Sequence, residues 1–436
     1  MEGTRKAGEL RHIARHGVSD HATPAGNAEL DISERRQSSR PDQRRRGVSG
    51  LPPTVLALGL VSFLTDFSSD MIYPLLPIFL TSVLSAGPRA LGLIEGIAES
   101  TASLLKVLSG WWSDRARRRK PLVVLGYSLA GAARPLIGLA AVWPTVLLLR
   151  FVDRVGKGLR TSPRDALIAD ITRPELLGRA YGVQRALDHA GAVAGPLAAA
   201  GLMTQAGLSL REVFLLAAVP AALVILILLA LVREPAHHAS PPESSPAPTG
   251  RGSLGRPFQV LLLAVLLFTL GNSSDAFLLL RLSEVGFPAA GIAVLWSAFH
   301  LVKAATTYAF GRLSDRLGRR PMIIAGWLVY ALVYAGFGFV QSRVGLVVTF
   351  LAYGLYFGFT EPVERAWVAD LAPAPLRGTA FGYYHAAVGV AALPASLLFG
   401  FLWQVFGAPV AFLAGVGFAL SGVMVLTFGL PYSAMR

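Results

Sequence analysis

The chain contains no cysteine. That excludes disulfides, thiolate metal sites and cysteine nucleophiles, and it leaves the redox compartment unmarked. Charge is also scarce. Asp, Glu, Lys and Arg supply 15% of the 436 residues, against about 25% in an ordinary soluble domain. Acids are the scarcer sign, 26 against 40 Lys and Arg. No glycine-rich phosphate loop of the Walker type occurs, which argues against direct drive by ATP. No spacing of acid, base or metal ligands suggests a membrane enzyme, and His237-His238 stands isolated in polar sequence. No cleavable signal is evident, because the first apolar run starts near Leu51 behind a polar leader too long for an n-region.

What the chain has in abundance is hydrophobic residues, 53% of the total, in runs long enough to cross about 30 Å of hydrocarbon. The composition therefore predicts an all-α integral membrane protein. Twelve spans are expected, near 54–80, 89–113, 121–141, 144–167, 178–204 and 212–232, then 258–281, 288–313, 321–341, 344–368, 377–403 and 409–430. Residues 1–50 read as a disordered basic tail. The Pro- and Ser-rich stretch 233–257 reads as a flexible linker between six-helix halves at 51–232 and 258–432. The net charge of +14 could suggest a nucleic-acid partner, but the arginines crowd alternate loops. That is the positive-inside pattern of a multi-pass protein. It puts both termini in the cytoplasm, in the inner or plasma membrane. On the poor side only Arg89, Arg211, Arg281 and Arg343 are found.

A basic cassette occurs twice. Gly110-Trp-Trp-Ser-Asp114-Arg115-Ala-Arg-Arg118-Arg119-Lys-Pro121 returns as Gly311-Arg-Leu-Ser-Asp315-Arg316-Leu-Gly-Arg319-Arg320-Pro321. Each copy lies where one apolar run ends and the next begins. The duplication extends to Ser68-Ser69-Asp70 and Ser273-Ser274-Asp275 in spans 1 and 7. It continues with Asp165-Ala-Leu-Ile-Ala-Asp170 and Arg365-Ala-Trp-Val-Ala-Asp370, then with Gly178-Arg-Ala-Tyr-Gly182 and Gly378-Thr-Ala-Phe-Gly382. The last two matches share one separation of 200 positions. Paired half-proteins in a membrane are the usual architecture of secondary transporters.

These cassettes resemble the loop signature G-x-x-x-D-R-x-G-R-R of the major facilitator superfamily, and the resemblance covers roughly residues 54–430. The second copy matches throughout, whereas the first has Arg117 where the signature has glycine. The likeness implies two pseudo-symmetric six-helix bundles and a cytoplasmic latch built on Gly110, Asp114, Arg115, Arg118, Gly311, Asp315, Arg316 and Arg319. The two glycines are expected to allow close backbone approach between helices. Arg154-Val-Gly-Lys157-Gly158 is similar to the family's R-x-x-x-G in helix 4, which implies a proton-coupling role for Arg154. Gly182-x8-Gly191-x3-Gly195-Pro196 resembles the helix 5 signature of its antiporters, with Ala199 and Ala200 replacing the last two glycines. Pro74-Leu-Leu-Pro77 after an acid looks like the first helix of twelve-span drug–proton antiporters.

Ionised residues within the spans carry the rest. At about 100° per residue, Arg150, Asp153, Arg154, Lys157, Arg160 and Arg164 share a stripe roughly 120° wide. A charge at mid-bilayer costs at least about 2.5–3.5 kcal/mol, so this stripe must face a bundle interior or an aqueous cavity. Arg160, Arg164 and Asp165 are taken to mark the cytoplasmic end of the helix. Further stripes are Asp66, Asp70 and Tyr73 on helix 1 and Glu95, Glu99 and Lys106 on helix 2. Arg185, Asp188 and His189 form one on helix 5; Trp296, His300, Lys303 and Thr307 on helix 8; Glu361, Glu364 and Arg365 on helix 10. A cavity carboxylate that alternates between protonated and paired states can exchange a proton for substrate. Asp66, Asp70, Glu95 and Asp275, with Arg154, are the candidates for proton coupling. Tyr73, Arg150, Asp153, Lys157, Arg185, Asp188, His300, Lys303 and Glu361 are candidates for lining the substrate cavity. The expected function is proton-coupled efflux of a small amphipathic compound by a monomer. A proton symporter or exchanger for an organic anion is the alternative, and a receptor that does not transport is a remote one.

Overall fold

The computed structural model describes residues 50–115, 119–173, 176–232, 234, 254–373 and 376–430. Nearly all of the expected tail and most of the expected linker lie outside them. Twelve helical segments follow in chain order. They are α1 (Pro53–Val83), α2 (Pro88–Arg115), α3 (Lys120–Leu139), α4 (Trp143–Ile171), α5 (Leu177–Gln205) and α6 (Leu210–Ala230), then α7 (Arg256–Glu284), α8 (Ala289–Leu317), α9 (Arg319–Phe339), α10 (Arg343–Leu371), α11 (Arg377–Phe406) and α12 (Ala408–Gly429). Among the described residues nine are long and apolar enough to span a bilayer by composition alone. The other three, α2, α4 and α5, are as long but carry the ionised stripes.

The two halves repeat their packing. α1 packs on α5 as α7 does on α11, α2 on α4 as α8 on α10, and α3 on α4 and α6 as α9 on α10 and α12. The first and seventh helices also break at equivalent places. The first run of α1 ends at Asp70 and resumes at Tyr73, where Pro74 and Pro77 withhold backbone donors. In α7, regular helix ends at Gly271 and resumes at Ala276, leaving Asn272-Ser273-Ser274-Asp275 between. Short polar side chains of this kind compete for backbone hydrogen bonds and favour a break. The α7 break thus contains the repeated Ser-Ser-Asp, and the α1 break follows directly after it.

The bundles meet along two seams, α2 with α11 and α5 with α8. At the far end, opposite the start of α1, both seams are tight. A Cβ on Gly92 would lie 2.3 Å from the Ser396 carbonyl oxygen, and one on Gly400 would lie 2.6 Å from that of Pro88. Ser100 donates to the Gly389 carbonyl at 2.8 Å, and Ser297 donates to that of Val193 at 2.8 Å. About three turns nearer the start of α1, on the faces that carry Val193 and Leu393, lie Gly182 and Gly382. Nothing comes within 4 Å of a Cβ built on either. The seams are closed at the far end and parted at the near end.

The four arginines of the arginine-poor loops fasten that far end. Arg211 donates to the carbonyls of Gly138 and Ala140 at 2.7 and 2.8 Å, Arg281 to that of Phe337 at 3.3 Å, and Arg343 to that of Gly286 at 3.1 Å. Arg89 lies over the Phe401 ring, 4.9 Å from its centre.

The glycines of α5 differ in what they do. Gly191 and Gly195 let α5 close on α1, where added Cβ atoms would meet the Phe63 and Phe67 carbonyl oxygens at 2.2 and 2.4 Å. Gly182 makes no such approach. Gly110 and Gly311 depart from expectation, since their nearest neighbours, Ser162 and Pro362, stand 3.6 and 3.7 Å from a Cβ. A methyl group fits there, and close approach is not what holds these two positions. Overpacking a tight helix contact costs about 1–3 kcal/mol. Gly195→Ala should therefore lower the melting temperature of the purified protein measurably, while Gly182→Ala should leave it within error. Equal shifts in a thermal unfolding series would contradict this packing.

Candidate functional site

The ionised stripe of α4 folds inward and is largely neutralised within the first bundle. Asp153 is its centre, 1% exposed. It receives Arg134 Nε from α3 at 2.8 Å and Arg150 Nη1 at 3.4 Å, with Arg154 Nε at 3.9 Å. Arg134 also donates to the Thr65 carbonyl of α1 at 3.1 Å. Arg150 reaches Glu95 of α2 through Nη2 at 2.6 Å and Nε at 3.0 Å, both donating to Oε1. A salt-linked core thus ties α1, α2, α3 and α4 together. Charges removed from water tolerate burial when each is paired and hydrogen-bonded.

Three candidates carry this core across to the second bundle at the helix breaks. Glu95 Oε2 accepts from Ser274 Oγ at 3.4 Å, and Ser274 Oγ lies 3.3 Å from Tyr73 Oη. Asp70 accepts from Trp296 Nε1 of α8 at 3.1 Å. The Arg150 guanidinium sits 5.4 Å from the centre of the Tyr73 ring, and that ring packs 5.3 Å from Trp296.

Other candidates stay uncommitted. Asp66 is partly exposed and makes no hydrogen bond or ion pair; its electrostatic neighbours are Asp188, Asp70, Lys157 and Arg160. Lys157 and Lys106 likewise form no ion pair, and Glu99 lies among them with Arg154. Arg185 and Asp188 pair with each other at 3.1 Å.

In the second bundle Lys303 pairs with Glu361 at 3.2 Å and rides 4.0 Å from the centre of the Phe357 ring. Arg365 reaches Glu361 as well, at 3.2 Å. Asp275 accepts from Tyr353 Oη at 2.7 Å. His300 is wedged beside Trp296 and Phe299, with both ring nitrogens buried and unpartnered.

Two expectations need correcting. Arg160 and Arg164 do not mark the end of the helix. They are 5% and 7% exposed, Arg160 stacked 4.3 Å from the centre of the Tyr127 ring and Arg164 paired with Asp165 at 2.8 Å. The helix runs on to Ile171, which leaves both arginines inside the bundle. The cassettes also align one residue differently. Arg319 reaches Asp315 at 2.7 Å, Asp370 at 3.2 Å and Ser314 at 2.5 Å. In the first half the residue with these partners is Arg119, at 3.0 Å from Asp170 and 3.2 Å from Ser113. Its backbone N–H also donates to the Glu234 carboxylate. The first loop therefore holds one extra residue, and Arg118, which matched Arg319 by sequence, lies outside the described residues. The side chains of Asp114 and Arg115 lie outside them too, and Arg316 is exposed.

Arg134 and Tyr353 escaped the sequence reading. The signal for Arg134 was present, a lone arginine inside an apolar run, but no neighbouring acid in sequence drew attention to it. Removing one partner from a buried ionic cluster costs about 3–5 kcal/mol, because the others stay buried and uncompensated. Asp153→Ala should consequently unfold at a much lower temperature than wild type. Asp188→Ala, whose partner Arg185 is half exposed, should shift it little. Thermal unfolding of both variants in one detergent would check the ranking.

Comparison with known proteins agrees with this architecture. The sequence profile of the Major Facilitator Superfamily matches residues 58–288 and 261–436. An uncharacterised MFS-type transporter of Methanocaldococcus jannaschii is 34% identical over 389 residues, covering 87% of this chain and 95% of that protein. A multidrug resistance protein, MdtG, of Citrobacter koseri is 28% identical over 344 residues, covering 76% of this chain and 82% of its own. Among solved structures, a bacterial homologue of the human lysosomal transporter Spinster, in an inward-facing and occupied conformation, superposes with a TM-score of 0.69. It is 17% identical and covers 88% of this chain and 96% of that one. With its twelve helices, its two repeated bundles and a profile match over most of its length, this chain is a multi-pass membrane transporter of the Major Facilitator Superfamily.

Proposed function

We propose that the protein exports small amphipathic compounds in exchange for protons, by alternating access. The observation that carries this reading is Asp66, a carboxylate inside the membrane with no hydrogen bond or ion pair among the described residues, beside Asp70, which bridges the two bundles. The arginine bias supports a cytoplasmic position for the near end, where both seams part, in a cell membrane. This conformation would then accept substrate from inside, with the far end sealed. The relatives named for multidrug resistance support export as the direction.

The mechanism needs proton and substrate to favour opposite-facing states, because only differential affinity moves a two-state equilibrium. A proton on Asp70 would remove the charge that Trp296 now stabilises and so loosen the tie between α1 and α8. Substrate binding would restore the need for that charge. Asp66, flanked by Lys157 and Asp188, would pass the proton to and from water between the parted seams. The working unit in this scheme is a monomer.

A second reading is exchange of an organic anion. Lys106 and Lys157, which carry no ion pair, favour it. Inhibition by carboxylates or phosphate esters, without inhibition by cationic dyes, would select it over the first.

Coupling free energies between sites run at about 1–3 kcal/mol, so loss of a coupling residue should remove roughly 5- to 150-fold of the proton's effect on substrate affinity. Asp66→Asn and Asp70→Asn are each expected to abolish substrate-driven proton flux in proteoliposomes while still inserting and folding. Wild-type flux in both variants would remove these carboxylates from the mechanism.

A further inference from the structure

One intramembrane carboxyl of the second bundle takes no part in the pairs described above. Glu364 of α10 is 8% exposed. Its Oε1 accepts from Trp327 Nε1 of α9 at 3.2 Å, and its Oε2 accepts from Tyr384 Oη of α11 at 2.7 Å. Neither donor is charged. The cations nearby are engaged elsewhere. Arg365 of α10 and Lys303 of α8 both pair with Glu361, and Arg320 of α9 turns its Nη2 to the Thr427 carbonyl of α12 at 2.6 Å, its buried Nε and Nη1 making no hydrogen bond to Glu364 or to any other described residue. Of the other titratable groups, Tyr356 of α10 accepts from Asn272 at 3.4 Å, Asp275 of α7 is held by Tyr353, and the His385 ring of α11 lies 5.2 Å from that of Tyr384.

The repeat shows how differently the same place can be filled. Two hundred positions earlier stand Tyr127, Arg164 and Gln184. There the buried charge is a guanidinium, paired with Asp165 at 2.8 Å, while Gln184 donates to Ser62 at 2.8 Å. A guanidinium holds its proton at any working pH. The second bundle has in its place a group able to gain and lose one, with no counter-ion to fix its state.

The two oxygens of Glu364 are not equivalent. An indole N–H only donates, so Oε1 must remain an acceptor in both protonation states. A phenol hydroxyl both donates and accepts. A proton therefore settles on Oε2, and Tyr384 need only rotate its hydroxyl to accept from the new O–H. Tyr384 is partly exposed, on a helix whose near half has parted from α2. We infer that Glu364 is a second, separate proton-binding site, loaded on Oε2 from near-end water past Tyr384. Its use in transport rests on the proton-coupled reading above, whereas its proton binding does not.

The test is a proton count on the purified full-length protein, stepped from neutral to acid pH and followed with an indicator dye. Glu364→Gln should take up one proton fewer than wild type, and Asp66→Asn,Asp70→Asn should still show the Glu364 step. Tyr384→Phe should keep the count but shift the midpoint of that step, with a matching shift in the fluorescence component lost in Trp327→Phe. An unchanged count in Glu364→Gln overturns the site. Should that variant fail to fold, an unaltered Trp327 titration in Tyr384→Phe overturns it instead. Wild-type transport indifferent to a proton gradient, together with one proton lost in Glu364→Gln, would refute the proposed exchange and leave this site standing.

Discussion

The constraint on which the rest depends is that a charge inside a membrane must have a partner or water. Asp153 satisfies it most completely, with Arg134 and Arg150 converging on it and Arg150 also reaching Glu95. Two of the helices that carry these charges, α2 and α4, fall short of an apolar span by composition. They are viable because they pack on each other and on α3 and α11. The ion pairs do not simply add stability, since desolvation offsets much of their attraction. What they fix is the register of four helices, because sliding any one of them would strand a charge.

The two bundles solve the same packing problem with different chemistry. The first neutralises its interior with arginine–carboxylate pairs. The second fills the equivalent space with aromatic rings: Phe268 stacks on Trp327 at 4.6 Å, and Tyr330 on Tyr334 at 4.1 Å. Hydroxyl groups there take over as partners, as in Tyr353 with Asp275. Symmetry persists where the requirement is geometric. Lys120 and Arg320, at the starts of α3 and α9, donate to the Leu229 and Thr427 carbonyls near the ends of α6 and α12. Cations suit that position because a helix C-terminus carries partial negative charge.

This division explains what the sequence made legible. Helix count, duplication and the shared face of Asp66, Asp70 and Tyr73 on helix 1 follow from hydropathy and spacing, which are local properties. The placement of Arg160 was misread because its depth depends on how far α4 continues beyond Pro163. The one-residue shift between cassettes was hidden because arginines are consecutive in both loops, so several alignments look alike until Asp170 and Asp370 choose between Arg119 and Arg319. Gly110 and Gly311 misled for a related reason. Their spacing matches a motif, but tight approach depends on the facing residue, and at Gly158 it is Leu105, 2.4 Å from a Cβ, that demands glycine.

The bundle contacts also bound the energetics of any switch. At the helix breaks three hydrogen bonds bind the halves: Trp296 to Asp70, Ser274 to Glu95, and the Tyr73–Ser274 hydroxyl pair. Neutral hydrogen bonds contribute about 0.5–1.5 kcal/mol net, and those to charged groups about 1.5–3. Opening the far end at this level therefore forfeits a few kcal/mol, before the gains from closing the near end around Gly182 and Gly382. A ligand must favour one state by about 5.5 kcal/mol to drive a two-state equilibrium from one extreme to the other. Replacing the charged acceptors of two of these three bonds by neutral ones would weaken them by about 2–3 kcal/mol together, roughly half of that requirement. The charged acceptors sit on the first bundle and their neutral donors on the second, so a change of charge on one side alone is enough to alter the tie.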